Sequence, residues 1–176
     1  GMVEEYVMGL HHTDEAVKNF IEKIDSINKP ITFVFYGDHL PGIYWDTNNN
    51  SILHQTDYFI YSNKYARRHL GRRIYKQYDL VAPTDFMSLV QKQTLTKTTP
   101  YSALLEKVLD ELPVITTKAA AGSKEESDAA MINDNGELIK YDDLSSSQKE
   151  LYNDYKLVQY DMTAGNNYLE NMNFTR

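Results

Sequence analysis

Apolar side chains recur at spacings of three and four through Val3, Tyr6, Val7 and Leu10, then Val17, Phe20, Ile21, Ile24 and Ile27. This period predicts an amphipathic helix over residues 3–28. Four positions beyond Leu10 lies Asp14, a carboxylate where the stripe points inward, and an inward carboxylate is unfavourable unless bonded. Two readings stay open: one helix with an inward Asp14, or a break near His11-His12-Thr13 with Thr13 capping a second helix. Lys29-Pro30 ends the pattern. Ile31-Thr32-Phe33-Val34-Phe35-Tyr36 follows, a β-branched and aromatic run that reads as a strand. It is too uniformly apolar for one wet face, which predicts cover on both sides as in a parallel sheet. The strand stops at Gly37-Asp38-His39-Leu40-Pro41-Gly42.

After an Asn-rich loop, Tyr58-Phe59-Ile60-Tyr61 reads as a second strand. One helix is expected near residues 85–92 behind Pro83-Thr84. Another should run from Pro100 to about Glu111, with Thr99 as N-cap, Pro100 in the first position and Pro113 beyond its end. Residues 116–147 change character: Ala119 to Ser123 is small and flexible in composition, and residues 132–139 form a hairpin pattern turning at Asn135-Gly136. Ser145 with Gln148, or Ser147 with Glu150, can form a capping box for a last helix through Tyr160, with Gly165 marking its end. The order of elements predicts an α/β fold with flanking helices on a partial, mostly parallel sheet. The division expected is residues 1–115 and residues 116–176, the second holding the hairpin and last helix.

Composition makes the core lean. The apolar share is 41% with Tyr counted; removing the 14 Tyr and adding the 8 Gly leaves roughly 38%, against a usual 45–50%. A chain of 176 residues can form one domain, so a lean core points either to much irregular surface or to a piece that completes its core elsewhere. The net charge of -7 argues against a nucleic-acid partner. The absence of Cys excludes disulfides, thiol nucleophiles and Cys-rich zinc sites. No apolar run reaches the roughly 20 residues of a membrane span. Gly1 before Met2 reads as a scar of tag removal.

The candidate chemistry gathers at Asp38-His39, because ligands of open α/β sheets sit at the carboxyl ends of strands. Carboxylate and imidazole are both ligands of first-row metals. Two readings stand here: metal or phosphate chemistry, or a turn whose Asp bonds backbone. His54, just before the second strand, can return to the same rim or serve as surface filler. Residues 63–76 hold Lys64, Arg67, Arg68, Arg72, Arg73 and Lys76, which could meet phosphate or form a solvated face on an acidic protein. There is no Gly-rich phosphate loop, Ser nucleophile elbow or dinucleotide fingerprint.

The stretch Phe33-Val34-Phe35-Tyr36-Gly37-Asp38-His39-Leu40-Pro41-Gly42 resembles the sulfatase-like phosphoglycerol transferases, the lipoteichoic acid synthase family of the alkaline phosphatase superfamily. Thr13-Asp14, Val81-Ala82-Pro83-Thr84-Asp85, and Leu157-Val158-Gln159-Tyr160-Asp161 with Gly165 and Tyr168 resemble further family segments in the family's order. The resemblance implies the C-terminal portion of an alkaline-phosphatase-like sandwich, with residues 1–115 belonging to the catalytic domain and residues 116–176 completing it. Asp38 and His39 are similar to metal ligands, His54 to a substrate-facing His, and Asp14 to a structural Asp. The implied metal is Mn2+, with Mg2+ or Zn2+ as alternatives.

The implied reaction moves glycerol phosphate from a phospholipid head group to a glycopolymer acceptor through a phospho-Thr intermediate, in an extracellular-facing domain of a bacterial membrane protein. The Thr nucleophile and an acidic ligand cannot be placed in this sequence. The expectation is therefore a fragment with no catalytic residue of its own, partnered by the N-terminal part of its domain or by its own copies, and inactive alone. A sulfatase or phosphodiesterase of the same superfamily, and a non-catalytic module holding anionic polymer through the basic segment, are the alternatives.

Overall fold

The computed structural model describes residues 1–38, 41, 43, 51–70, 78–123 and 129–176. They divide into two compact units: Gly1–Asn48 with His54–Ile74, and Asn49–Leu53 with Tyr75–Arg176. The 115–116 boundary expected from composition falls inside a strand of the second unit.

In the first unit, α1 (Met2–Asp25) is one unbroken helix. Of the two open readings, the break near Thr13 is absent; the Thr13 hydroxyl donates back to the Gly9 carbonyl at 3.0 Å, as a Thr inside a helix does. Strand β1 (Thr32–Tyr36) pairs antiparallel with β2 (Tyr58–Ser62), from Thr32 opposite Ser62 to Tyr36 opposite Tyr58. Helix α2 (Lys64–Leu70) follows. The parallel, doubly covered strand is thus corrected to a half-buried antiparallel one, with Phe35 and Tyr36 exposed.

Length explains which part of α1 is packed. A helix of 24 residues runs about 36 Å, whereas five-residue strands span about 17 Å. The C-terminal half meets the sheet: Ile24 is buried, and Phe20 sits edge-on to Phe33 at 5.0 Å between ring centroids. Val3, Val7 and Leu10 remain exposed. Asp14 lies on that exposed half, so its expected inward position is corrected too.

The second unit contains α3 (Phe86–Thr94), α4 (Pro100–Glu111), β3 (Val114–Thr117), α5 (Lys118–Ala121), β4 (Ala129–Ile132), β5 (Leu138–Ile139) and α6 (Ser146–Thr163). Its three strands run in the order β3-β4-β5, every pair antiparallel. Local signals are realised here. Thr99 accepts from the Ser102 amide at 3.1 Å, and Ser145 and Gln148 bond each other's amides at 3.2 and 3.0 Å. Gly136 takes a φ of 77°, the left-handed conformation the hairpin turn requires. Strand β3 has no counterpart among the expected elements, and α5 overlaps the stretch from Ala119 to Ser123 that reads as small and flexible. Val108 and Leu112, with Leu151 and Tyr155 of α6, form the buried cluster. No described helix is long and apolar enough to cross a membrane.

Candidate functional site

The β1–β2 register positions the candidate chemistry. Tyr36 opposes Tyr58, so the residues leaving β1 and those leading into β2 meet at one end of the sheet. Asp38 is exposed two residues past β1, and His54 is exposed at the end of the 3-10 turn Ser51–His54, four residues before β2. Gly37 ties the two segments closely: a Cβ built on it would lie 2.8 Å from Thr56 Oγ1 and 2.9 Å from Thr56 Cγ2. Only glycine lets the strand exit lie this near the chain beside His54. Sequence reading missed Thr56, because a lone Thr in a polar loop carries no periodic signal.

His39, with Leu40 and Gly42 of the same motif, lies outside the described residues, as do the Asn-rich loop and Arg72, Arg73 and Lys76. Among the described residues no group of three His, Cys, Asp or Glu is placed to hold a metal ion. Asp38 and His39 supply oxygen and nitrogen donors, types that fit Mn2+ or Zn2+ as part of a larger ligand set.

At the opposite end of the sheet, beyond the Thr32–Ser62 pair, Asn63 ties the unit together. It is fully buried; its carbonyl oxygen accepts from Ile31 N and Ala66 N at 3.1 and 2.9 Å. Its amide donates to the carbonyls of Ile24, Ile27 and Lys29 at 2.9 to 3.2 Å. One side chain therefore joins the end of α1, the linker, the start of β1 and the first turn of α2. The basic segment is partly committed to the same framework. Arg67 lies 3.6 Å from Asp25 and 4.9 Å over the Tyr61 ring, and also donates to the Ser62 carbonyl. Desolvation pushes the Asp25 carboxyl up, but the Lys64 amide, the Tyr61 hydroxyl and Arg67 outweigh it and hold the carboxyl below its ordinary range.

Two family-like segments of the second unit are structural. Asp85 accepts from Ala82 N at 2.8 Å, closing the 3-10 turn Pro83–Asp85, and burial pushes its carboxyl up. Asp161 accepts from Tyr168 N and Leu169 N at 3.1 and 3.0 Å, folding the C-terminal 3-10 turn Tyr168–Met172 onto α6.

A protein-family model, Sulfatase, matches residues 1–90. Among solved structures, the chain resembles the Streptococcus pyogenes phosphoglycerol transferase GacH in complex with sn-glycerol-1-phosphate. Identity is 34% and the TM-score 0.61, over 92% of this chain and 35% of that one. This chain thus spans about a third of that protein. No curated protein matches it.

Proposed function

Because the chain belongs to the sulfatase family, we propose that it supplies part of the active site of a metal-dependent phosphoglycerol transferase. The likeness to GacH over nearly the whole of this chain carries the reading. The position of Asp38 and His54 at one end of the β1–β2 sheet supports it.

In this reading Asp38 and His39 hold a divalent cation, Mn2+ first and Mg2+ or Zn2+ as alternatives, which supplies charge stabilisation to the phosphoryl oxygens when bound. His54 faces the phosphate of the substrate head group. Gly37 and Thr56 fix the strand exit, so that Asp38 is presented without a rearrangement on binding. Asp14, exposed on α1, takes its structural role only against protein beyond this chain. A Thr hydroxyl from that remainder gives up its proton and attacks phosphorus, the bond from phosphorus to the lipid oxygen breaks and diacylglycerol leaves with a proton; a hydroxyl of an envelope glycopolymer of the lipoteichoic acid kind then attacks the phospho-Thr ester, takes the glycerol phosphate and returns the Thr hydroxyl. The reaction site faces outward from the cell membrane. Lacking that Thr and the other metal ligands, this chain alone is inactive.

Calorimetry with Mn2+ and sn-glycerol-1-phosphate tests the assignment. The chain should bind Mn2+ weakly, binding should vanish in Asp38→Ala with the melting curve unchanged, and His54→Ala should lower only glycerol phosphate affinity. Equal Mn2+ binding by Asp38→Ala, or Mn2+-dependent turnover of a chromogenic phosphodiester by this chain alone, would overturn it.

A further inference from the structure

We propose that the groove between the β4–β5 hairpin and α6 binds a phosphate-bearing polyol or sugar chain, with lysines meeting phosphates and an aromatic ring meeting the carbon backbone. The groove encloses about 680 Å3 and lies wholly within the second unit. Helix α6 lines it with Tyr152, Asn153 and Lys156, neighbours on one helical face, and Lys149 lies one turn before Tyr152 and Asn153. Lys140 and Tyr141 come from the opposite wall, where the 3-10 turn Tyr141–Asp143 follows β5.

The walls are built as a unit. Asn153 donates to the Tyr141 hydroxyl at 2.9 Å, and the Tyr141 and Tyr152 rings lie 5.8 Å apart. The Lys149 ammonium stands 5.6 Å over Tyr141 and donates to the Asp142 carbonyl at 3.1 Å; that of Lys156 stands 5.5 Å over Tyr152.

Charge selects the occupant. None of Lys140, Lys149 and Lys156 is ion-paired with a carboxylate among the described residues, whereas Lys92 elsewhere in the unit meets both Asp110 and Glu106. One carboxylate, Asp142, lies among the lining residues, and that of Asp143 is turned onto the Lys140 amide at 3.2 Å. Among the described lining residues, the ammonium groups of Lys140 and Lys156 outnumber the one carboxylate of Asp142, with Lys149 beside Tyr141, on a chain of net charge -7. Ammonium groups beside half-exposed aromatic rings suit a ligand that alternates phosphate with aliphatic carbon. A polymer acceptor of the transferase is such a ligand. That identity rests on the transferase reading, while anion binding in the groove does not.

The test is titration of the chain with a short poly(glycerol phosphate) oligomer at low salt, with chelator present so that metal binding plays no part. Lys140→Gln with Lys156→Gln should weaken binding about tenfold. Tyr141→Ala should weaken it about threefold, and Asp38→Ala should leave it unchanged. All four residues are exposed, and unchanged melting curves establish that the variants fold. No binding by the wild-type chain, equal binding by the double variant, or equal binding of a neutral polyol polymer would overturn the proposal. Monomeric sn-glycerol-1-phosphate binding as tightly as the oligomer would overturn the assignment to a polymer.

Discussion

The two units of this chain are held together by opposite means. In the second, Val108, Leu112, Leu151 and Tyr155 form a buried apolar cluster that adjacent helices close over. In the first, the most deeply buried side chain is an amide, Asn63, while Val3, Val7, Leu10, Tyr36 and Phe59 stay exposed. An apolar cluster is non-directional and tolerates small shifts in its neighbours. A side chain that satisfies five backbone groups works only if all of them are in place, so it fixes geometry more than it adds stability. That is the unit in which Asp38 must be presented at a fixed strand end.

The largest expected effect breaks this contrast directly. Asn63→Leu leaves five backbone donors and acceptors without the partner they have now and should destabilise the first unit by about 4 kcal/mol. Leu151→Ala should destabilise the second by about 3 kcal/mol through its cavity. Amide exchange separates the two: the first change should expose Ile31 and Ala66, and the second should leave both protected. If Leu151→Ala unprotects Ile31, the units are not independently held.

A smaller effect sharpens the picture at the site. Gly37→Ala presses a methyl onto Thr56 and should lose about 2 kcal/mol in urea unfolding. Thr56→Ala removes the two nearest atoms, so the double variant should recover most of that loss, a coupling that a double-mutant cycle reads out. Additive losses would mean that the Gly37–Thr56 approach does not fix the strand end.

The smallest effect is a pH slope confined to the second unit. The Asp85 carboxyl is pushed up by burial, although the Ala82 amide partly offsets this. Between the ordinary carboxylate range and that raised value the folded state binds more protons than the unfolded. The Asp85 contribution is therefore fully present below the ordinary carboxylate pKa and is lost as pH rises through the raised one. Asp85→Asn, whose side-chain oxygen can still accept from Ala82, should flatten this part of the unfolding free energy against pH. An unchanged slope would place the titration elsewhere.

The site was legible only in outline. Gly37-Asp38-His39 after a β-branched run marked the strand end, and the register brings His54 to that same end. Thr56 and Asn63 were not legible, because a polar side chain in a loop gives no hint of which distant backbone it will meet. The apolar run at residues 31–36 suggested a parallel strand, yet its partner is antiparallel and leaves Phe35 and Tyr36 exposed. Uniform hydrophobicity reports how much surface a strand could bury, not the direction or completeness of its cover.

Sequence by itself determined what is settled within a few residues. The Thr99 and Ser145 caps, the turn at Asn135-Gly136 and the helical periods rest on bonds and spacings between near neighbours in the chain. Tertiary structure alone decided that β1 pairs with β2, that only the C-terminal half of α1 is covered, and that Asn63 reaches Ile24 across 39 positions. It also brought Lys140 opposite Lys156 across a groove. These contacts exist only once distant segments have been brought together, and the loop closure that does so depends on the whole unit rather than on any local pattern.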